Sequence, residues 1–135
     1  MPPRHCILVA EDDHDVRELI RTRLTALGHD VHTARNGAEA LARITSVKPA
    51  AMVLDINMPV VDGFGVLEEL RTRGCLFPVL VLTARHAADD VRRAVSLGAK
   101  DYLTKPFSEA QLQARVARLL RAPAAVPPTS ALVGD

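Results

Sequence analysis

The sequence predicts an α/β fold: a parallel sheet of five strands with helices on both faces. Three observations carry this. Short apolar runs alternate with longer segments of helical spacing, the loops between them are short, and four of the runs end on a charged or hydroxyl side chain. Continuous apolar runs suit strands buried on both faces. Their alternation with helices implies parallel strands joined by right-handed crossovers. The length of 135 residues fits one domain with a core that needs no covalent staple.

Cys6-Ile7-Leu8-Val9-Ala10 reads as a central buried strand that stops on Glu11-Asp12-Asp13. One of these acids is placed to cap the helix that follows. That helix carries Val16, Leu19, Ile20, Leu24 and Leu27 on one face and ends at Gly28. Val31 to Ala34 is a short second strand. Asn36-Gly37 breaks the chain before a helix over 38–47, which Pro49 closes. Ala51 to Leu54 is the third strand, and it delivers Asp55 to its C-terminal end. Pro59 bars ordinary backbone pairing there, and Asp62-Gly63 signals a turn. A helix over 63–73 points Phe64, Leu67 and Leu70 inward. Val79 to Leu82 is the most apolar strand and ends at Thr83-Ala84. A helix over 87–97 is closed by Gly98. Asp101 to Thr104 is the fifth strand and ends at Lys105-Pro106. The last helix, over 108–121, has Leu112, Val116, Leu119 and Leu120 on one stripe. Residues 1–121 therefore read as one domain. Residues 122–135, rich in Pro and Ala, read as a linker, with the apolar Leu132-Val133 as the start of a further unit.

Composition excludes several classes. Formal net charge is +1, from 17 basic and 16 acidic residues, which is no footprint for nucleic acid or an anionic membrane. No stretch approaches the length of a membrane span. Cys6 and Cys75 lack metal or redox spacing, and the five histidines show no ligand spacing and are expected at the surface. The expected location is a reducing cytoplasm.

The strand ends carry the chemistry. In a parallel sheet Glu11, Asp12, Asp55, Thr83 and Lys105 all reach one edge, where ligands of open α/β sheets bind. Carboxylates gathered there repel by roughly 4 kcal/mol per pair at ~4 Å and an effective dielectric of about 20. A divalent cation relieves this, and all-oxygen ligands with open positions suit Mg²⁺. Lys105 adds a charge for an anion, and Thr83 a hydroxyl donor. A carboxylate nucleophile in such company is equipped for phosphoryl transfer. Each residue also has an ordinary use: the acid run at a helix N-terminus, Asp55 in a turn, Thr83 in a strand, Lys105 on the surface, Tyr102 in half-buried packing.

The order and spacing of Ile7-Leu-Val-Ala-Glu11-Asp12-Asp13, Asp55-Ile-Asn-Met-Pro59-Val-Val-Asp62-Gly63, Thr83-Ala84-Arg85, Gly98-Ala-Lys-Asp101-Tyr102 and Lys105-Pro106-Phe107 resemble receiver domains of two-component response regulators. The resemblance covers Ile7 to about Leu120 and implies a flavodoxin-like sheet of order 2-1-3-4-5. It implies that Asp55 accepts a phosphoryl group from a sensor histidine kinase. Glu11, Asp12, Asp55 and the backbone carbonyl of Asn57 would hold Mg²⁺. Lys105, preceding a cis proline, would bind phosphate. Thr83 and Tyr102 would form the switch pair, and Arg85 lies where phosphoryl lifetime is affected. The protein would be a signalling switch that takes part in its own phosphorylation and dephosphorylation, not an enzyme.

The likeness is greatest to receivers of the OmpR type, which carry a winged-helix DNA-binding domain and dimerise through the fourth helix, fifth strand and fifth helix, partly by pairs like Asp101–Arg115. Here Val91, Lys100 and Gln111 depart from that pattern. A homodimer on this face and transcription control through a C-terminal domain are the implied output; a stand-alone receiver signalling by protein contacts is the alternative. An aspartate-nucleophile phosphatase needs an acid two residues after the nucleophile, where Asn57 stands. A flavin or nucleotide binder needs a Gly-rich loop after the first strand, and none follows.

Overall fold

The computed structural model describes residues 4–84 and 87–121. The strands are β1 (Cys6–Ala10), β2 (Asp30–Ala34), β3 (Ala51–Asp55), β4 (Val79–Thr83) and β5 (Asp101–Thr104). The helices are α1 (His14–Ala26), α2 (Gly37–Val47), α3 (Gly63–Thr72), α4 (Ala88–Ser96) and α5 (Glu109–Arg121). All strands are parallel, in the order β2-β1-β3-β4-β5. The expected α/β class and sheet order both hold, with element ends within a residue or so of those expected.

Strand alternation divides the core in two. Ile7 and Val9, Ala51 and Val53, Leu80 and Leu82, and Leu103 face α1 and α5, where Ile20, Leu24, Leu112, Val116 and Leu119 cover them. Leu8 and Ala10, Met52 and Leu54, and Val79 and Val81 face the other way, onto Ala40, Ile44, Phe64, Leu67, Leu70 and Ala94. Leu19, expected inward on α1, is instead 39% exposed. It lines the pocket that Glu11, Asp12 and Asp55 share.

Capping sets where the helices begin. Asp13 accepts from Val16 N–H at 3.0 Å, Asn36 from Glu39 N–H at 2.8 Å, and Asp62 from Gly65 N–H at 2.9 Å. Asn36-Gly37 and Asp62-Gly63 are thus helix starts more than breaks.

The loop from β3 to α3 is tight. Val61 N–H bonds the carbonyl of Pro59 at 2.8 Å, and the residue between, Val60, has φ 71°. An i to i+2 bond across a positive φ is a strained γ-turn, and a β-branched residue there is an outlier. Val60 is 81% exposed, so its side chain adds little packing in return. Val60→Gly is expected to raise stability by about 1 kcal/mol, after the added freedom of the unfolded glycine is allowed for. Urea denaturation would read this; a lowered midpoint would mean that the turn is not strained.

Candidate functional site

The C-terminal ends of β1 and β3 and the loop after β5 meet at one edge of the sheet. Alternation carries Glu11 and Asp55 to the α1/α5 side, in line with Val9 and Val53. Glu11 is fully buried and Asp55 nearly so, at 3% exposure. Lys105 reaches in from the loop after β5. Its Nζ lies 2.8 Å from Glu11 Oε1 and 3.4 Å from Asp55 Oδ1. The other Glu11 oxygen is buried with no hydrogen-bond partner among the described residues. Carboxylate oxygens of Glu11, Asp12 and Asp55 lie within 4.8 Å of one another. They open into a cavity of about 580 Å³ that Asn57, Ala84, Pro106 and Phe107 also line.

Electrostatics follow from this crowding. Burial first, then the neighbouring Asp55, pushes the Glu11 carboxyl up to about 8 against the pull of Lys105. Burial works against the Lys105 ammonium, yet Glu11 and Asp55 hold it above the usual lysine range. Among the described residues the Lys105 ammonium is the one cation within salt-bridge reach of Glu11 and Asp55, and the Asp12 carboxylate lies beside that pair. The cluster therefore has room in its charge balance for a cation.

The fold places the expected site residues as follows. Glu11, Asp12, Asp55 and Lys105 converge, and Asn57 joins them, its N–H 3.3 Å from Asp55 Oδ1. The Lys105–Pro106 peptide is cis, as the resemblance implies. Thr83 is different. Alternation along β4 puts it on the α3/α4 side with Val79 and Val81, buried, its hydroxyl without a partner among the described residues. It adjoins the site through its carbonyl, which accepts from Lys105 N–H at 2.7 Å. Tyr102 is 40% exposed beside the Arg115 guanidinium. Asp101 pairs within its own chain, with Arg115 at 3.1 Å and Arg118 at 2.5 Å. Arg85 and His86 lie outside the described residues.

Sequence reading missed Arg17. Its Nη1 donates to the carbonyls of Glu11 at 3.0 Å and Asp12 at 3.3 Å, pinning the turn that presents both acids. Only a charged donor one turn into a helix, just after the acid run, hinted at it. The histidines are not all surface residues either: the His5 and His29 rings pack 5.6 Å apart at the opposite end of the sheet, each with a buried Nδ1.

The family model of the response regulator receiver domain matches residues 7–117. The chain is a response regulator receiver domain. It is 49% identical over 115 residues to the transcriptional regulatory protein PrrA of Mycobacterium leprae, covering 85% of this chain and 49% of that protein. It is 40% identical over 129 residues to the alkaline phosphatase synthesis transcriptional regulatory protein PhoP of Bacillus subtilis, covering 96% and 54%. The receiver thus spans about half the length of these curated relatives. Among solved structures, a response regulator from Chloroflexus aurantiacus superposes with TM-score 0.84 at 32% identity, covering 89% of this chain and all of that one. A chemotaxis response regulator of Vibrio cholerae does so with TM-score 0.81 at 28% identity, covering 87% and 99%. Among the described residues, no helix of this receiver is long and apolar enough to cross a membrane.

Proposed function

We propose that Asp55 is the phosphoacceptor of this receiver and that its partner is a sensor histidine kinase. The observation that carries the reading is the ammonium of Lys105 set between Glu11 and Asp55, in a pocket where a buried Glu11 oxygen has no partner among the described residues. An Asp55 oxygen attacks the phosphorus of a phosphohistidine. The nitrogen–phosphorus bond breaks, and the imidazole leaves with its electron pair and takes a proton. Lys105 turns from the carboxylates toward the phosphoryl oxygens. Nearby Asn57 cannot act as a general base to activate water for rapid hydrolysis, so the acyl phosphate persists as a signal. Incubation with acetyl phosphate and Mg²⁺ is expected to add one phosphoryl group by intact mass. No adduct would reject the reading.

Glu11, Asp12, Asp55 and the Asn57 carbonyl would hold Mg²⁺. An all-oxygen donor set with a buried carboxylate oxygen that has no partner among the described residues fits a hard dication. When bound, the ion neutralises charge on the transferring group. Folded Glu11 keeps its proton up to about pH 8, whereas the reference value is 4.5. The metal-free chain should therefore lose stability as pH rises between those values. Binding must displace that proton. Mg²⁺ affinity is expected to increase across the same window with net proton release, measurable by calorimetry in buffers of different ionisation enthalpy. A pH-independent affinity would count against it.

The phosphoryl group brings roughly −1.5 to −2 charges. The Thr83 hydroxyl, without a partner among the described residues, would have to turn from the α3/α4 side to donate to it, and Tyr102 on the neighbouring strand is the side chain whose inward rotation would report the change on the α4–β5–α5 face. A dimer on that face would have to recruit Asp101 and Arg115 from their contact within the chain. Residues 122–135 are read as the link to a DNA-binding output domain. The greater length and the transcriptional roles of the curated relatives support this.

A further inference from the structure

We propose that Cys6, Asp30 and His32 form a second metal site, for a borderline-soft divalent ion such as Zn²⁺, that staples the edge strand β2 to β1. Strand register builds it. Cys6 pairs with Asp30 and Leu8 with His32, so the three side chains share the α2 face of the sheet. One potential ligand atom from each, Sγ, a carboxylate oxygen and an imidazole nitrogen, lies within 4.8 Å of the other two. The His32 Nε2 to Asp30 Oδ2 separation is 3.3 Å, close to the edge of roughly 3.4 Å that Zn–N and Zn–O bonds of about 2.0–2.1 Å span in a tetrahedron.

The donor chemistry selects the ion. Thiolate and imidazole suit Zn²⁺ and have little attraction for Mg²⁺, whereas the acid pocket is all oxygen. The two sites lie at opposite ends of β1, about 16 Å apart along the strand at 3.3 Å per residue. A thiolate and a carboxylate together cancel the charge of the dication. Arg4 stands 3.8 Å from the other Asp30 oxygen, but its side chain is 72% exposed, so this pair is weak and no barrier. Asp30 and His32 are partly open to solvent, which supplies an entry path and a water for the fourth position. Cys6 Sγ, 3.5 Å from the Val47 carbonyl, anchors the inner side. The competing account is an exposed His–Asp pair beside a thiol that merely packs.

Co²⁺ decides between them as a spectroscopic stand-in, because a thiolate ligand gives it a near-ultraviolet charge-transfer band that oxygen ligands do not. The 135-residue chain carrying Cys75→Ala, held in excess Mg²⁺ to fill the acid pocket, is titrated with Co²⁺. The expected result is a band that saturates at one equivalent and is erased by Zn²⁺. Adding Cys6→Ser should abolish it, and His32→Gln should weaken binding by about tenfold or more. Absence of the band in Cys75→Ala, or equal titrations with and without His32→Gln, would overturn the proposal. Should Cys6→Ser not fold, His32→Gln and Asp30→Asn, both at partly exposed positions, separate the two accounts in the same way: weaker Co²⁺ binding supports the site, and unchanged binding rejects it.

Discussion

Asp55→Asn is expected to be silent to acetyl phosphate: intact mass shows no adduct where the unsubstituted chain gains one phosphoryl group. The amide has the shape of the carboxylate but no anionic oxygen to attack phosphorus. The fold should tolerate it. The amide oxygen can still accept from Asn57 N–H, now at 3.3 Å from Asp55 Oδ1. Lys105 keeps Glu11 as a partner at 2.8 Å. Burial still raises the Glu11 pKa, but the substitution removes the Asp55 carboxylate that adds to the rise, so Glu11 should ionise at lower pH than about 8. The metal-free variant should therefore lose less stability than the parent as pH rises. Labelling at the parental level would remove Asp55 from the phosphoacceptor role. A variant that fails to fold would make the carboxylate structural instead.

Gly37→Ala is expected to cost about 3 kcal/mol or more, a drop of roughly 10 °C in thermal midpoint for a domain of this size. Gly37 opens α2 against the β3–α3 loop, and its N–H donates to the Val61 carbonyl at 3.1 Å. A Cβ there would overlap the Val61 carbonyl oxygen, and it would sit 2.8 Å from both the carbonyl carbon and Val61 Cβ. These are backbone and near-backbone atoms already held by the turn at Val60, so nothing yields cheaply. Gly65→Ala is the contrast: its Cβ meets Val61 Cγ1, the end of a side chain, at 2.8 Å. That contact can be relieved by rotation, and alanine gains about 1 kcal/mol of helix propensity. Similar melting of the Gly37→Ala variant and the parent would show that the close approach is not rigid. Because the crowded loop follows Asp55 directly, the damage should also reach the phosphorylation rate.

Apolar runs and acids were readable because they follow local rules. Buried strands need continuous aliphatic stretches, and a helix start needs a side-chain oxygen, so Cys6–Ala10 and Asp13 declared themselves. Asp55 was readable because an apolar run that ends on an acid has few structural excuses. Arg17 was not, since a donor to backbone carbonyls leaves no pattern of residue types. Leu19 misled because helical spacing defines a stripe but not its edge; here the edge lines the pocket. Thr83 shares the strand-end rule with Asp55, and each is the fifth residue of its strand, yet they face opposite sides because the register pairs Asp55 with Leu82.

By itself the amino-acid order determined the α/β class, the ten elements and the gathering of Glu11, Asp12, Asp55 and Lys105 at one edge, because period and strand polarity are properties of the chain. Tertiary structure alone decided which charges touch: the Lys105 ammonium between two buried carboxylates, Asp101 satisfied within its own chain, and Cys6 laid beside Asp30 and His32. Distance between side chains from different strands is set by register and twist, and no spacing along one chain encodes it locally.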